Sequence, residues 1–341
     1  MAHWASRALF LQANSAPMYR MVVRALGGPG ALEREALEGV SASSGEVVID
    51  VRAVGCNFFD ILITEGKYQV TPELPFAPGA EVAGVVRELG QGVERFSIGD
   101  RVSALLEYGG YASTVAAPEQ RIFAMPAQMT FEEAAALGLV YQTSYVGLVH
   151  RANLQAGETL LVHAAAGGVG LAAVQIGAAL GARVIGTAGT PDKLTLAKQN
   201  GADVVINYRE EDWVERVKEL TDGRGADVIY DPVGGDTFDL STKCIAFEGR
   251  ILVIGFASGR IPTAKMNRVL VKNFSLVGLH WGLYFQKNPQ VLQEAQDAIS
   301  RLYSNGKIAP VVSETHPLED AHAALDALGS RKTTGKVVLI P

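Results

Sequence analysis

A chain of 341 residues is long for one hydrophobic core and points to two domains. With 48% hydrophobic and 19% charged residues it has the apolar mass for both. A net charge of −6, a pI near 5.6 and the lack of any Lys/Arg block leave a nucleic-acid surface without compositional support. Two cysteines, Cys56 and Cys244, exclude a disulfide scaffold and point to a reducing compartment, the cytoplasm.

The first stretch carries Arg7, Arg20 and Arg24 with no acidic residue before Glu33. That composition fits a mitochondrial presequence, which would place the mature protein in the matrix, and fits a short amphipathic extension equally well. From Arg20 the chain turns β-rich: MVVRAL, GEVVIDVRAVGCN, AEVAGVVREL and GDRVSALL, each bounded by Gly or Pro. Strands at this spacing predict an antiparallel or barrel-like first domain. Pro72, Pro75 and Pro78 mark a rigid loop. Thr130, with Glu133 three residues on, has the spacing of a capping box and opens a helix through Leu139.

Glu158 to Thr190 is the most informative stretch. An apolar run (Thr159 to His163) leads into a glycine cluster, then the helical pattern Leu171, Val174, Gln175, Ala178, then a second apolar run (Arg183 to Gly186). That order is strand, turn, helix, strand, with the turn reading Ala166, Gly167, Gly168, Val169, Gly170. The three glycines suit a sharp reversal, a close backbone approach to a pyrophosphate and tight helix–sheet packing, while the helix amides and dipole face the phosphates. Leu160 to Leu180 is almost free of charge, but the central glycines and the lack of flanking Lys/Arg anchors argue against a membrane span.

NAD binding usually places an acid about 20 residues past the first glycine. Here Gly186, Thr187, Ala188, Gly189 and Thr190 hold no carboxylate, Lys193 follows, and Tyr208 ends the next strand. A missing acid beside a cation suits a 2′-phosphate and favours NADPH. Asp192 weakens that reading, and Lys193 is otherwise a solvated residue at a helix start.

Beyond it, GADVVINYR, GADVIYDPVGG, RILVIGF and NFSLVGLHW alternate with helical patterns such as Trp213 to Leu220 and Phe238 to Phe247. This α/β rhythm predicts a doubly wound parallel sheet of the Rossmann kind, with its ligand at the carboxyl ends of the strands. Pro289 to Asn305 reads as a long helix, and TTGKVVLIP as a last strand that returns to the first domain.

The motifs GCNFFDILITEGKY (55 to 68), PFAPGAEVAGVV (75 to 86), GDRV (99 to 102), HAAAGGVG (163 to 170), INYREED (206 to 212), YDPVGGD (230 to 236) and the closing TTGKVVLIP together resemble the zinc-free quinone oxidoreductases of the medium-chain dehydrogenase/reductase family, the ζ-crystallin-like group. The resemblance implies a GroES-like, mostly β catalytic domain (1–141, completed by 283–341) around a Rossmann NADPH-binding domain (142–282). It further implies a homodimer. The implied reaction is hydride transfer from NADPH to a quinone, with α,β-unsaturated carbonyls or enoyl thioesters as alternative substrates. A non-enzymatic, RNA-binding or structural role of a cofactor-binding protein is a third reading, against which the acidic pI counts.

By resemblance, Asn57, Tyr68 and Thr143 line the nicotinamide side of the cleft and Asp60 orients its neighbours. Val233 and then Gly255, Phe256 and Ala257 complete the cofactor cleft, and Lys336 contacts the cofactor across it. Blander roles stay open: Asn57 capping a turn, Tyr68 a loop aromatic, Thr143 a helix cap. Leu62 stands where the family has a Tyr, which leaves a general acid undetermined. At the two zinc-ligand positions of metal-dependent relatives stand Asn57 and Ala80, strand alternation turns Cys56 the other way, and no cysteine cluster follows Val102, so no zinc is expected. The run Leu279, His280, Trp281, Gly282, Tyr284 suits either stacking on a quinone ring or ordinary packing, and His150 and His163 read as structural.

Overall fold

The structure, a computed structural model, describes residues 17–69 and 71–341; the presequence reading falls mainly on residues 1–16, outside the described residues. The first part of the chain runs β1 (Tyr19–Val23), β2 (Leu32–Ala36), β3 (Glu46–Gly55), α1 (Phe58–Thr64), β4 (Glu81–Leu89), β5 (Arg101–Leu105), β6 (Thr114–Pro118), β7 (Ile122–Ala124) and α2 (Phe131–Tyr145). Next come β8 (Thr159–Val162), α3 (Gly168–Ala179), β9 (Arg183–Ala188), α4 (Pro191–Gln199), β10 (Val204–Asn207), α5 (Trp213–Leu220), β11 (Ala226–Asp231), α6 (Gly235–Cys244), β12 (Ile245–Val253), α7 (Met266–Lys272) and β13 (Ser275–Gly278). The chain closes with α8 (Tyr284–Lys287), α9 (Pro289–Ser304), β14 (Val312–Pro317), α10 (Ala321–Gly329) and β15 (Lys336–Ile340).

Strands β8 to β13 form one parallel sheet in the order β10-β9-β8-β11-β12-β13. The order reverses between β8 and β11, which is where a doubly wound sheet opens a ligand crevice. A second sheet runs β14-β15-β3-β4-β5-β7, with β6 also paired to β3. Its outer members come from the chain's end: Val338 pairs with Gly55, antiparallel, so the closing strand does return to the first domain. β14 joins beside it, while the preceding α9 packs on α2.

α2 ties the two sheets together. Its first turn is the expected capping box, with Glu133 N donating to Thr130 Oγ1 (3.2 Å) and Thr130 N donating to Glu133 Oε2 (2.9 Å). It runs past Leu139 to Tyr145 and then widens into a π-helical turn over Val146–Arg151. Polar Gln142 and Ser144 sit in the core without ending it: Gln142 Nε2 donates to Gln296 Oε1 (2.8 Å) while its own Oε1 stays unpaired among the described residues, and Ser144 bonds Tyr230 Oη (2.8 Å) and Val169 O (3.1 Å). The helical pattern that began at Phe238 breaks at Cys244, and Ile245 to Phe247 enter β12.

Candidate active site

β8 is buried along its whole length, and the chain leaves it through the turn at 163–167. The sharp reversal falls on Ala164, whose φ is +51°, and not on a glycine. The glycine that the turn cannot do without is Gly170, where a Cβ would lie 2.1 Å from Ala164 O. Gly167 caps α3 with no side-chain bond to the helix amides, so these point into the crevice unclaimed by a cap. His163, beneath the turn, is structural as expected. It sits between Thr187 Oγ1 and Ser241 Oγ (3.0 Å each), and burial pushes its pKa down to about 3, which keeps it neutral.

At the end of β9, Gly189 and Thr190 lead into α4 without a carboxylate. A Cβ on Gly189 would lie 2.6 Å from Tyr208 Oη and 3.0 Å from Arg209 Nε, so both side chains lean onto this strand end. Lys193 lies in the first turn of α4, which follows, and burial and then the Arg209 charge lower its pKa. Arg209 is not among the residues expected from sequence. Its signal is adjacency, a second cation directly after the aromatic that ends β10.

The remaining expected cofactor residues form one framed edge. Asp231 Oδ1 accepts from Val233 N and Gly234 N (2.9 Å each), and Ser258 N donates to Val233 O (2.9 Å). Gly255, Phe256 and Ala257 are thus held half-buried beside Val233. The segment before β15 reaches across to this edge. Arg331 Nη2 donates to Ala257 O (2.7 Å), Lys193 Nζ donates to Arg331 O (2.6 Å), and Gly335 N donates to Ala166 O (2.8 Å).

The opposite wall holds Lys336. Its ammonium is turned away into the catalytic domain, 2.7 Å from each of Cys56 O, Asn57 Oδ1 and Glu81 Oε1, and only its stem lies over Gly168. The cause is Glu81, a carboxylate with 1% of its surface exposed that requires a cation. Asn57 stands at the N-cap position of α1 without a side-chain bond to the helix amides: Asp60 N donates to its backbone O (3.0 Å), and its own backbone N donates to Asp60 Oδ2 (2.8 Å). Asp60 also accepts from Gly79 N (3.0 Å) and Tyr111 Oη (3.3 Å), yet burial pushes its pKa up to about 7.

Tyr68 is half-buried and packs its ring on Phe59 at 5.2 Å; burial and then the Asp60 charge raise its pKa. Thr143 is buried within α2 and does not cap it. The run after β13 is packed: Trp281 meets Phe285 edge-on at 5.3 Å and Tyr284 meets His150 at 5.7 Å, next to Val146 and Leu292. Cys56 is buried against Tyr111, with its thiol pushed up to about 12. Among the described residues, no group of three or more His, Cys, Asp or Glu gathers where a metal ion would be held, and no helix is long and apolar enough to cross a membrane.

These features define a two-domain dehydrogenase cleft, a Rossmann crevice facing a GroES-like wall. Two family models match, Alcohol dehydrogenase GroES-like domain over residues 43–127 and Zinc-binding dehydrogenase over residues 168–299. The chain belongs to the quinone oxidoreductase family of medium-chain dehydrogenases/reductases. It is 44% identical to the quinone oxidoreductase-like protein 2 homolog of Nematostella vectensis, over 94% of this chain and 88% of the relative. The Escherichia coli quinone oxidoreductase complexed with NADPH superposes with a TM-score of 0.89 at 36% identity, over 95% of this chain and all of that one. The CurK enoyl reductase gives 0.87 at 29% identity, over 95% and 99%.

Proposed function

We propose that this chain is an NADPH-dependent, zinc-independent oxidoreductase that reduces quinones. The observation that carries the cofactor choice is the group Lys193, Arg209 and Tyr208 over the acid-free end of β9. Two cations and a phenol suit a 2′-phosphate, and the strand end itself, Gly186 to Thr190, carries no carboxylate. The uncapped start of α3 suits the pyrophosphate. When bound, NADPH supplies hydride from its nicotinamide. Zinc does not fit: Ala80 brings no donor, Asn57 Oδ1 is taken by an ammonium, and Cys56 holds its proton.

The quinone assignment is supported by the family, and a reduced quinone can take its protons from water. Likeness to an enoyl reductase supports the second reading, an enone or enoyl-thioester substrate, for which Tyr68 is the proton donor at hand. Turnover of NADPH against a panel of quinones and enones tests both. Failure with every acceptor removes the reductase reading, and a Tyr68→Phe variant that slows enones and spares quinones separates the two.

A homodimer is part of the same reading. Among the described residues β13 pairs only with β12, and Met266, Leu270 and Val271 are exposed on α7, the helix that precedes β13 in the chain. A second copy pairing there would cover both. Sedimentation at micromolar concentration giving only monomer would remove this part. Two free, buried cysteines agree with a reducing compartment such as the cytoplasm.

A further inference from the structure

The hydrogen-bonding capacity of Asn57 is almost entirely spent inside the protein. Its Nδ2 has two protons, one directed to Glu81 Oε1 (2.9 Å) and the other to Gly55 O (3.3 Å). Its Oδ1 accepts from Lys336 Nζ at 2.7 Å. The reverse orientation of the amide would set two donors against an ammonium and an oxygen against a carboxylate, so the surrounding charges dictate which end is which. Glu81 is fixed in turn, because Leu139 N donates to its Oε2 at 2.8 Å and Lys336 to its Oε1 at 2.7 Å. The carboxylate has room only because residue 55 is glycine, whose Cβ would lie 2.5 Å from Glu81 Oε1. All three ammonium protons of Lys336 are used, and its stem crosses Gly168 at the start of α3.

We propose that Lys336 and Glu81 are positioning residues that hold the Asn57 carboxamide with both N–H groups turned inward, so that it meets a bound ligand only as a hydrogen-bond acceptor. What remains to it is one lone pair on Oδ1. Its ligand partner therefore brings an O–H or N–H from outside the cofactor, such as the hydroxyl of a reduced product. The carbonyl of a quinone or enone is not polarised by Asn57. Lys336 also links this acceptor physically to the glycine turn, since the residue before it is bonded to Ala166. The ligand part of this inference rests on the reductase reading; the inward lock does not.

The test is the pair substitution Glu81→Gln with Lys336→Met, which removes both charges together and avoids stranding either. Leu139 N–H still demands an oxygen, so the amide introduced at position 81 must present its NH2 to Asn57, whose carboxamide then reverses. In the unmodified protein the 15N-labelled Asn57 side-chain protons, identified by their loss in Asn57→Ser, should exchange with solvent at least about 100-fold more slowly than those of exposed asparagines. In the pair variant they should exchange at least about tenfold faster, while kcat falls about tenfold or more and the NADPH Kd, read by tryptophan fluorescence, stays within about threefold.

Exchange as fast as at exposed asparagines in the unmodified protein overturns the proposal. So does a folded pair variant with unchanged kcat, or one whose loss lies wholly in NADPH affinity. Should the pair variant not fold, the exchange rate of the unmodified protein decides. Should the unmodified protein reduce no acceptor, the reductase reading fails while the two exchange measurements still decide the lock.

Discussion

The Rossmann wall of the cleft presents backbone amides and solvent-facing cations, whereas the GroES-like wall presents charges sealed in the interior. On the first, Gly167 to Gly170 and the start of α3 offer a dipole that needs no particular side chain. On the second, Lys336, Glu81 and Asp60 have 4%, 1% and 0% of their surface exposed. Desolvation makes each of these costly unless paired, so the second wall is stiff in a way the first is not. One wall can accept a ligand by adding bonds, and the other can act only through groups already fixed.

The largest effect should come from breaking the sealed wall. Lys336→Met alone leaves Glu81 buried without its cation and should cost about 3–5 kcal/mol in urea unfolding, whereas adding Glu81→Gln should recover most of it. A loss below about 1 kcal/mol for the single change would mean that water reaches the carboxylate.

The same wall predicts a pH dependence. Burial raises the folded-state pKa of Asp60 from 3.8 to about 7, so the folded chain keeps a proton that the unfolded chain has released. Its contribution therefore makes the fold less stable as pH climbs from about 4 to about 7. Asp60→Asn, though less stable overall for want of an acceptor, should lose that slope in urea titrations at pH 5 and pH 7.5. Identical slopes in the two proteins would show that Asp60 is ionised throughout.

The exposed cations of the first wall should respond in affinity and not in stability. Lys193→Ala and Arg209→Ala should each weaken NADPH binding by a factor equivalent to about 1.5–3 kcal/mol, leave NADH binding unchanged and shift Tm little. Equal loss with NADH would place both cations away from the 2′-phosphate.

How far the two walls are legible in sequence follows from the same difference. Strand, glycine turn and helix occupy consecutive residues, and their periodicity and composition reveal them. Tyr208 and Lys193 fall at positions set by the sheet itself. Arg209 escapes notice because a cation beside a strand end is ordinary on a surface. The sealed wall joins positions 57, 81 and 336, which no local period connects. Asn57 is expected there only by its place in a motif, and the same holds for Lys336, an isolated Lys in an apolar strand. Its counterpart is visible in GAEVAGVV, an isolated Glu in another apolar strand. Two lone, opposite charges in buried strands are more cheaply satisfied by each other than by anything mobile.

The smallest predicted effect tests whether the first wall depends on shape alone. A Cβ at Gly170 meets the fixed carbonyl of Ala164 at 2.1 Å, whereas at Gly167 the same oxygen is the nearest atom at 3.5 Å, an ordinary contact. Gly170→Ala should therefore cost about 1–3 kcal/mol through a forced backbone shift, with weakened NADPH binding as the turn opens. Gly167→Ala, at φ −83° and ψ 171°, should fold as the parent does. Its effect on NADPH then reports only how near the pyrophosphate comes. If both variants behaved alike in stability, the turn would not be held by the Ala164 carbonyl, and the contrast between a wall of shape and a wall of charge would lose its basis.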